Sequence, residues 1–446
     1  MKPPFETGQT LRLDISGLIS DGRGLARHDS VAVFVDEALP GQTVLARIRT
    51  VKRRLVEAES LSVLIPAPNA RPAPCPHNAD CGGCSWQAMP YAAQLEWKSQ
   101  FVVDALRRIG KVAGPPMLPI LASPEEWGYR NKMEFSVRGT EVGLRRRSSH
   151  GIVPVTGCLL QSALTMRLVA SARKAFQHMD ATLWRYLVIR EPRAGGCLAE
   201  VIVAPHPDAV PLGQRLAEAL FRDCPELDGF ILSERANPPD IAYGERTLWY
   251  QGKTELQERL GPASFALGEG AFFQVNTLAA ERLYAEVSRL AAEGPLDRVW
   301  DLYCGVGSIG LYVALHTPVR HLRGVEQSAQ AVALARLNAR TLAPDLDCAF
   351  QVGDAATLPS VGKAARCGER PDLVIMDPPR TGVDSRLLEA LKDLRPERIL
   401  YVSCDPATLA RDIERLHGYV LKTARPVDLF PQTPHVESVC LLERLD

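Results

Sequence analysis

Between residues 8 and 64 apolar and polar positions alternate in short runs, Leu11–Ile15, Val31–Val35, Thr43–Ile48 and Val56–Leu61, with glycine-bearing turns between them. Strands this short, recurring at roughly ten-residue intervals, predict a small barrel. The stretch Pro66–Pro74 carries four prolines and reads as a linker. A cysteine-rich segment follows, then a pattern of helical period over Tyr91–Ile109. From Pro119 to Ala266 the pattern is mixed and mostly β, with strands predicted at Lys132–Val137, Leu187–Ile189, Leu198–Val203 and Phe230–Ser233. Beyond Phe272 the rhythm becomes strand, glycine turn, helix. Its strands are Arg298–Tyr303, His321–Glu326, Cys348–Val352, Asp372–Asp377 and Arg398–Ser403. That alternation builds a parallel, doubly wound sheet. The tail, Leu421–Phe430 and Val436–Leu445, predicts a closing β-hairpin. The expectation is a multidomain α/β chain divided at 1–66, 67–268 and 269–446.

Composition changes this picture little. The 446 residues hold 52 basic and 52 acidic side chains, so net charge does not advertise a polyanionic partner. Basic residues cluster only locally, at Lys52-Arg53-Arg54, at Arg130 with Lys132, and at Arg145-Arg146-Arg147. Such short clusters are more often solvated surface than phosphate contacts. The first residues lack the apolar stretch of a signal peptide, and no run of about 18 apolar residues is available to span a bilayer. Eleven cysteines without an export signal suit a reducing cytoplasm, where thiols bind metals or catalyse instead of pairing. A cytoplasmic protein acting as a monomer, without a membrane partner, is expected.

The chemistry gathers at predicted strand ends. Strand Arg298–Tyr303 runs into Cys304-Gly-Val-Gly-Ser-Ile-Gly310, which satisfies the glycine pattern of dinucleotide binding, so a nicotinamide cofactor must be weighed. Glu326 ends the next strand, where a carboxylate can accept both hydroxyls of a ribose in either cofactor. Three features favour S-adenosylmethionine. Asp301 precedes the glycine turn, where it can face a cationic amino acid; Asp354 follows the third strand, where it can meet an adenine amino group; and Asp377-Pro-Pro has no role in holding a dinucleotide.

Cys404 closes the run Arg398–Ser403 and is followed at once by Asp405-Pro406. A thiol at the carboxyl end of a strand that proline stops lies at the mouth of an α/β sheet. A thiolate there, beside Asp377 on the neighbouring strand, is a soft nucleophile suited to conjugate addition. Glu437, opening the final strand, can point back to the same edge and act as a general base if burial raises its pKa. The plain alternatives are an ordinary strand-end cysteine and a solvated hairpin charge.

Five motifs in order, Phe272-Phe-Gln-Val-Asn276, Asp301-Leu-Tyr-Cys-Gly-Val-Gly307, Asp377-Pro-Pro-Arg-Thr-Gly382, Ser403-Cys-Asp-Pro-Ala-Thr-Leu409 and Pro434-His-Val-Glu437, resemble those of the RNA uracil-C5 methyltransferases along nearly the whole chain. The resemblance implies that Cys404 adds to C6 of a uracil, that C5 then takes a methyl group from S-adenosylmethionine, and that Glu437 removes the C5 proton. Asp377 is implied to place the uracil and the cofactor. Gln274, Tyr303, Ser308, Glu326 and Asp354 fall on cofactor-contacting positions; Ser308 and Asp354 stand where asparagine occurs in relatives. A uracil in folded RNA must leave its stack to reach Cys404.

Cys75, Cys81 and Cys84 surround Gly82-Gly83, and three thiolates at that spacing suit either zinc or an iron–sulfur cluster completed from elsewhere. The resemblance implies a [4Fe-4S] cluster with Cys158 as fourth ligand. The Cys-x3-Cys-x2-Cys signature of radical enzymes is absent from this segment. The front barrel, with Asp21-Gly-Arg-Gly-Leu-Ala-Arg27, resembles an OB-like TRAM domain, which makes Lys52–Arg54 candidates for gripping RNA phosphates. TRAM module and cysteine set together resemble the branch that makes 5-methyluridine in 23S ribosomal RNA. Transfer RNA is the nearest alternative substrate; a non-catalytic RNA-binding or ribosome-assembly protein and a cytosine-C5 methyltransferase are further ones.

Overall fold

The computed structural model describes residues 5–445 apart from 53–54, 148, 150, 181, 238–241 and 357–369. Of the basic cluster at 52–54, only Lys52 is therefore among the described residues. Five strands close a barrel in the order Thr10–Leu18, Gly24–His28, Val31–Asp36, Leu55–Ile65, Thr43–Lys52. The alternation seen in the sequence turns Leu13, Ile15, Val33, Val35, Val44, Ile48 and Val56 into its core. Gly24–His28 was not among the predicted strands because its inward positions are Gly24 and Ala26, too small to register as an apolar pattern. The glycine is needed there, since a Cβ would lie 2.9 Å from the Ala38 carbonyl oxygen.

The middle of the chain forms a seven-stranded sheet ordered Arg246–Gly252, Gly229–Glu234, Leu198–Val203, Trp184–Arg190, Lys132–Arg138, Glu141–Arg145, Ile152–Val153. The mostly-β expectation is incomplete here: helices Ala163–Phe176 and Ala209–Asp223 contribute to the same core as the sheet. The second helix was hidden by Pro211 and Gly213. The proline falls in the first helical turn, where a missing N–H costs nothing. The glycine lets the helix approach the sheet; a Cβ would come within 2.7 Å of Leu232.

The last sheet has the order Asp347–Val352, His321–Glu326, Arg298–Leu302, Leu373–Met376, Arg398–Ser403, Glu437–Arg444, Tyr419–Val427. The first five strands are parallel, and the final hairpin enters antiparallel, as the tail predicted. Helices Thr277–Ala291, Ser308–His316 and Ala329–Leu342 cover one face. Ser385–Leu394 and Pro406–Arg415 cover the other, joined there by Tyr91–Arg108 from far upstream. That early helix carries Gln94 and Lys98 along the same buried stripe as Phe101, Val102, Ala105 and Leu106.

Candidate functional site

The carboxyl ends of the parallel strands form the edge at which an α/β sheet binds its ligand. Strand Arg298–Leu302 ends one residue earlier than predicted, because Tyr303 adopts a left-handed φ of 67°. Gly305 and Gly307 continue the turn at φ 54° and 77°, and helix Ser308–His316 then starts without a side-chain cap. Nothing within 4 Å would meet a Cβ on Gly305, so the turn faces open space. Glu326 grips the turn from the adjacent strand: one carboxylate oxygen accepts the Gly305 amide at 3.2 Å, the other the Ser328 amide at 2.8 Å. Two oxygens offer about four acceptor sites, so capacity for ribose hydroxyls remains.

Asp301 departs from its expected role of facing the ligand. It is 1% exposed and accepts the Gly310 amide at 2.9 Å, bracing the turn from beneath. Its second oxygen has no partner, and burial pushes its pKa up to about 7. Ser308 is turned toward Tyr284, hydroxyl to hydroxyl at 3.0 Å. Asp354 follows strand Asp347–Val352, half-buried, with one oxygen accepting the Ala356 amide. Gln274 is buried, in the segment leading to helix Thr277–Ala291.

Strand register brings the reacting groups together. Ser403 pairs with Ser438 across antiparallel strands, so one step outward Cys404 stands opposite Glu437. Met376 pairs with Tyr401 on the other side, which sets Asp377 beside the same edge. Burial pushes the half-exposed Cys404 thiol up to about 12, and the charges of Glu437 and Asp377 add to the effect while Arg380 opposes it. Glu437 is 3% exposed, and one of its oxygens has no hydrogen-bond partner. Burial raises its pKa to about 8, reinforced by Asp377 and eased by Arg380. Asp377, half-buried at its surface, lies deep enough for the loss of water to raise its carboxyl to about 7. At neutral pH the resting site therefore holds a protonated thiol between two carboxyls that readily carry or release a proton.

The four predicted cysteine ligands, Cys75, Cys81, Cys84 and Cys158, line one cavity of about 490 Å³. Burial pushes Cys84 up to about 12, with neighbouring Cys158, Cys81 and Cys75 adding to it. Among the described residues no three ligating side chains close around a single metal ion. Arg145-Arg146-Arg147 lies against this loop: Arg146 pairs with Asp80, and Arg147 donates to the carbonyls of Asn78 and Cys81 at 2.8 and 3.2 Å. Much of that basic cluster thus braces the cysteine loop.

Sequence reasoning gave no role to Arg380 or Asn276, although both lie in the quoted motifs. Gln94 and Lys98 were also passed over; their signal is two polar side chains, four apart, on an otherwise apolar helical stripe. Among the described residues no helix is long and apolar enough to cross a membrane.

Family models match three parts of the chain: a TRAM domain over residues 4–61, a methyltransferase small domain over 279–391, and the tRNA (uracil-5-)-methyltransferase family over 370–445. An uncharacterized RNA methyltransferase of Nitratidesulfovibrio vulgaris is 44% identical, with 98% of this chain and 97% of the relative covered. One from Halalkalibacterium halodurans is 32% identical, over 99% and 98%. Among solved structures, the Pyrococcus abyssi tRNA (uracil-54, C5)-methyltransferase in complex with S-adenosyl-L-homocysteine matches with a TM-score of 0.74 and 25% identity, over 97% of this chain and 100% of that one. With these matches spanning its length, and the barrel, doubly wound sheet and cofactor edge in place, the chain belongs to the S-adenosylmethionine-dependent RNA (uracil-5-)-methyltransferase family.

Proposed function

We propose that this enzyme methylates C5 of a uridine in 23S ribosomal RNA, in the cytoplasm, through a covalent bond between Cys404 and uracil C6. The observation that carries the covalent mechanism is the register that sets Cys404 opposite Glu437, beside Asp377; the ribosomal substrate rests on the TRAM domain together with the cysteine set. S-adenosylmethionine, when bound, supplies an electrophilic methyl group. An open glycine turn and Glu326 at the next strand end, with acceptor capacity left for a ribose, support its binding; Asp354, Tyr303, Ser308 and Gln274 would supply further contacts.

Uracil C5 is a poor nucleophile. Cys404 passes its proton to the neighbouring Asp377 carboxylate and bonds to C6, and the electron pair of the C5–C6 double bond becomes available at C5 for methyl transfer. Arg380 lowers the cost of the thiolate. Asp377 holds the uracil against the nucleophile. After transfer C5 carries both a hydrogen and the new methyl. Glu437 takes that proton, the C5–C6 double bond re-forms, and the carbon–sulfur bond breaks to free Cys404.

Cys75, Cys81, Cys84 and Cys158 line one cavity, which supports a shared centre; their spacing suits zinc or an iron–sulfur cluster, and the family resemblance favours [4Fe-4S]. Cys75, Cys81, Cys84 and Cys158 would hold it in a positioning role. A transfer-RNA substrate is the second reading, favoured by the Pyrococcus abyssi structure, whose protein acts on uracil 54 of tRNA. Methyl-labelled S-adenosylmethionine, incubated separately with unmodified ribosomal and transfer RNA, decides between them. Labelled 5-methyluridine in ribosomal RNA alone supports the proposal; label in transfer RNA alone transfers it to the second reading. No label in either returns the chain to a binding role.

A further inference from the structure

One oxygen of the buried Glu437 carboxyl has no hydrogen-bond partner, so the backbone that carries the side chain has a large share in aiming it. The placement of a proton-transferring group to within an ångström governs its rate, so whatever fixes the preceding loop fixes the base. That loop, residues 428–436, has no regular structure of its own. Its four consecutive carbonyls are nevertheless all taken by donors from outside it. The Leu429 oxygen accepts Asn276 Nδ2 at 3.0 Å, Phe430 accepts Lys98 Nζ at 2.9 Å, Pro431 accepts the Tyr129 hydroxyl at 3.1 Å, and Gln432 accepts the Trp86 amide at 3.0 Å.

The side chains repeat the pattern. Lys98 and Asp428 are both fully buried and pair at 2.5 Å, and the same Asp428 oxygen accepts the Phe430 amide. Gln94 accepts the Gln432 amide at 2.8 Å and donates through one amide nitrogen to Gln432 Oε1, Trp86 O and Met89 O. Gln432 itself sits at φ 70°, a left-handed conformation that a glutamine keeps only when held. Burying an ion pair and this many amide groups brings little stability compared with apolar packing. It does bring a single geometry.

We propose that Gln94, Lys98, Tyr129 and Trp86 form a clamp that positions the Glu437 loop, and that through Trp86, two residues beyond Cys84, the cysteine-rich cavity is mechanically joined to the base. The proposal rests on the methyltransferase reading for its kinetic consequence but not for its structural one. None of these four is a catalytic residue; each acts through the loop.

The test uses the full-length enzyme with Gln94→Met, which keeps volume and deletes the hydrogen bonds, and Tyr129→Phe, which deletes one grip at almost constant shape. Three readouts are taken beside the melting temperature: turnover on RNA, the fraction of chain covalently bound to RNA under denaturing conditions, and hydrogen exchange of the peptide covering 428–438. A displaced base slows the step after methyl transfer. Turnover should then fall about 10- to 100-fold in Gln94→Met and less in Tyr129→Phe. KM values should stay within about threefold, the covalent fraction should rise, and exchange should quicken about tenfold. Cys84→Ser should quicken the same peptide's exchange, a readout independent of activity. Unchanged turnover in a folded variant overturns the clamp, as does a fall in turnover with less adduct and a raised KM for RNA. Unchanged exchange overturns it even if the wild-type protein methylates nothing, so failure of the clamp and failure of the methyltransferase reading are told apart.

Discussion

Replacing Glu437 with glutamine should flatten the pH dependence of stability. In the folded chain burial raises this carboxyl to about 8, against an ordinary value of 4.5. Below pH 4.5 both folded and unfolded chains carry the proton, and the site costs nothing. As pH rises from there the unfolded chain releases its proton while the folded one keeps it, so stability falls by about 1.4 kcal/mol per pH unit until pH reaches the folded value. Between pH 5 and pH 8 that slope accumulates about 4 kcal/mol as a ceiling, and about half that if water relaxes into the opened site. Glutamine does not titrate, and the constant cost of burying its amide cancels in the comparison. For a sheet domain of this size the difference corresponds to about 4–16 °C in Tm. The assay is calorimetric melting of both proteins at pH 5 and pH 8 at one scan rate, following the transition of the C-terminal sheet. The wild type should lose several degrees more than Glu437→Gln on going to pH 8. Parallel losses would refute the argument, because they would mean that Glu437 ionises as freely inside the fold as outside it.

Cys404→Ala should lower turnover at least about 10³-fold with cofactor affinity unchanged, measured by methyl transfer and by calorimetric titration of S-adenosylhomocysteine. Glu326→Gln should raise the KM for S-adenosylmethionine about 10- to 100-fold with a much smaller effect on kcat, since the carboxylate braces the Gly305 turn and is proposed to accept the ribose hydroxyls. Protein purified without oxygen should hold about four iron atoms per chain, and Cys158→Ser should lose most of them by iron and sulfide analysis. Gly229→Ala should destabilise the central sheet by about 3 kcal/mol or more in a melting assay, because the new Cβ would sit 1.9 Å from the Lys253 carbonyl oxygen.

Strand ends are the part of this fold that a single sequence displays well. Leu373–Met376 is apolar throughout and Arg398–Ser403 is apolar between its end residues because both faces are covered, and each is followed by a proline motif at the carboxyl edge of the sheet. Local pattern thus placed Asp377, Cys404 and Glu326 at that edge. The central helix with Pro211 and Gly213 escaped because breaker residues read as loop until the sheet that Gly213 packs against is known. Long-range partners were wholly out of reach: Lys98 meets Asp428, and Gln94 meets Gln432, more than 300 residues away. The raised pKa of Glu437 was conditional on burial, and burial of a residue at a strand start depends on what the rest of the chain lays over it.

The most direct test of the central claim is intact-mass analysis of the enzyme after reaction with RNA carrying 5-fluorouridine at the target position. Fluorine cannot leave C5 as a proton does, so the last step proposed for Glu437 would be blocked and the carbon–sulfur bond would persist. The expected product is a stable species with the mass of chain and RNA plus one methyl group less the thiol hydrogen, mapped by digestion to Cys404 and absent from Cys404→Ala. A methylated RNA product released without any adduct, or an adduct on another residue, would contradict it.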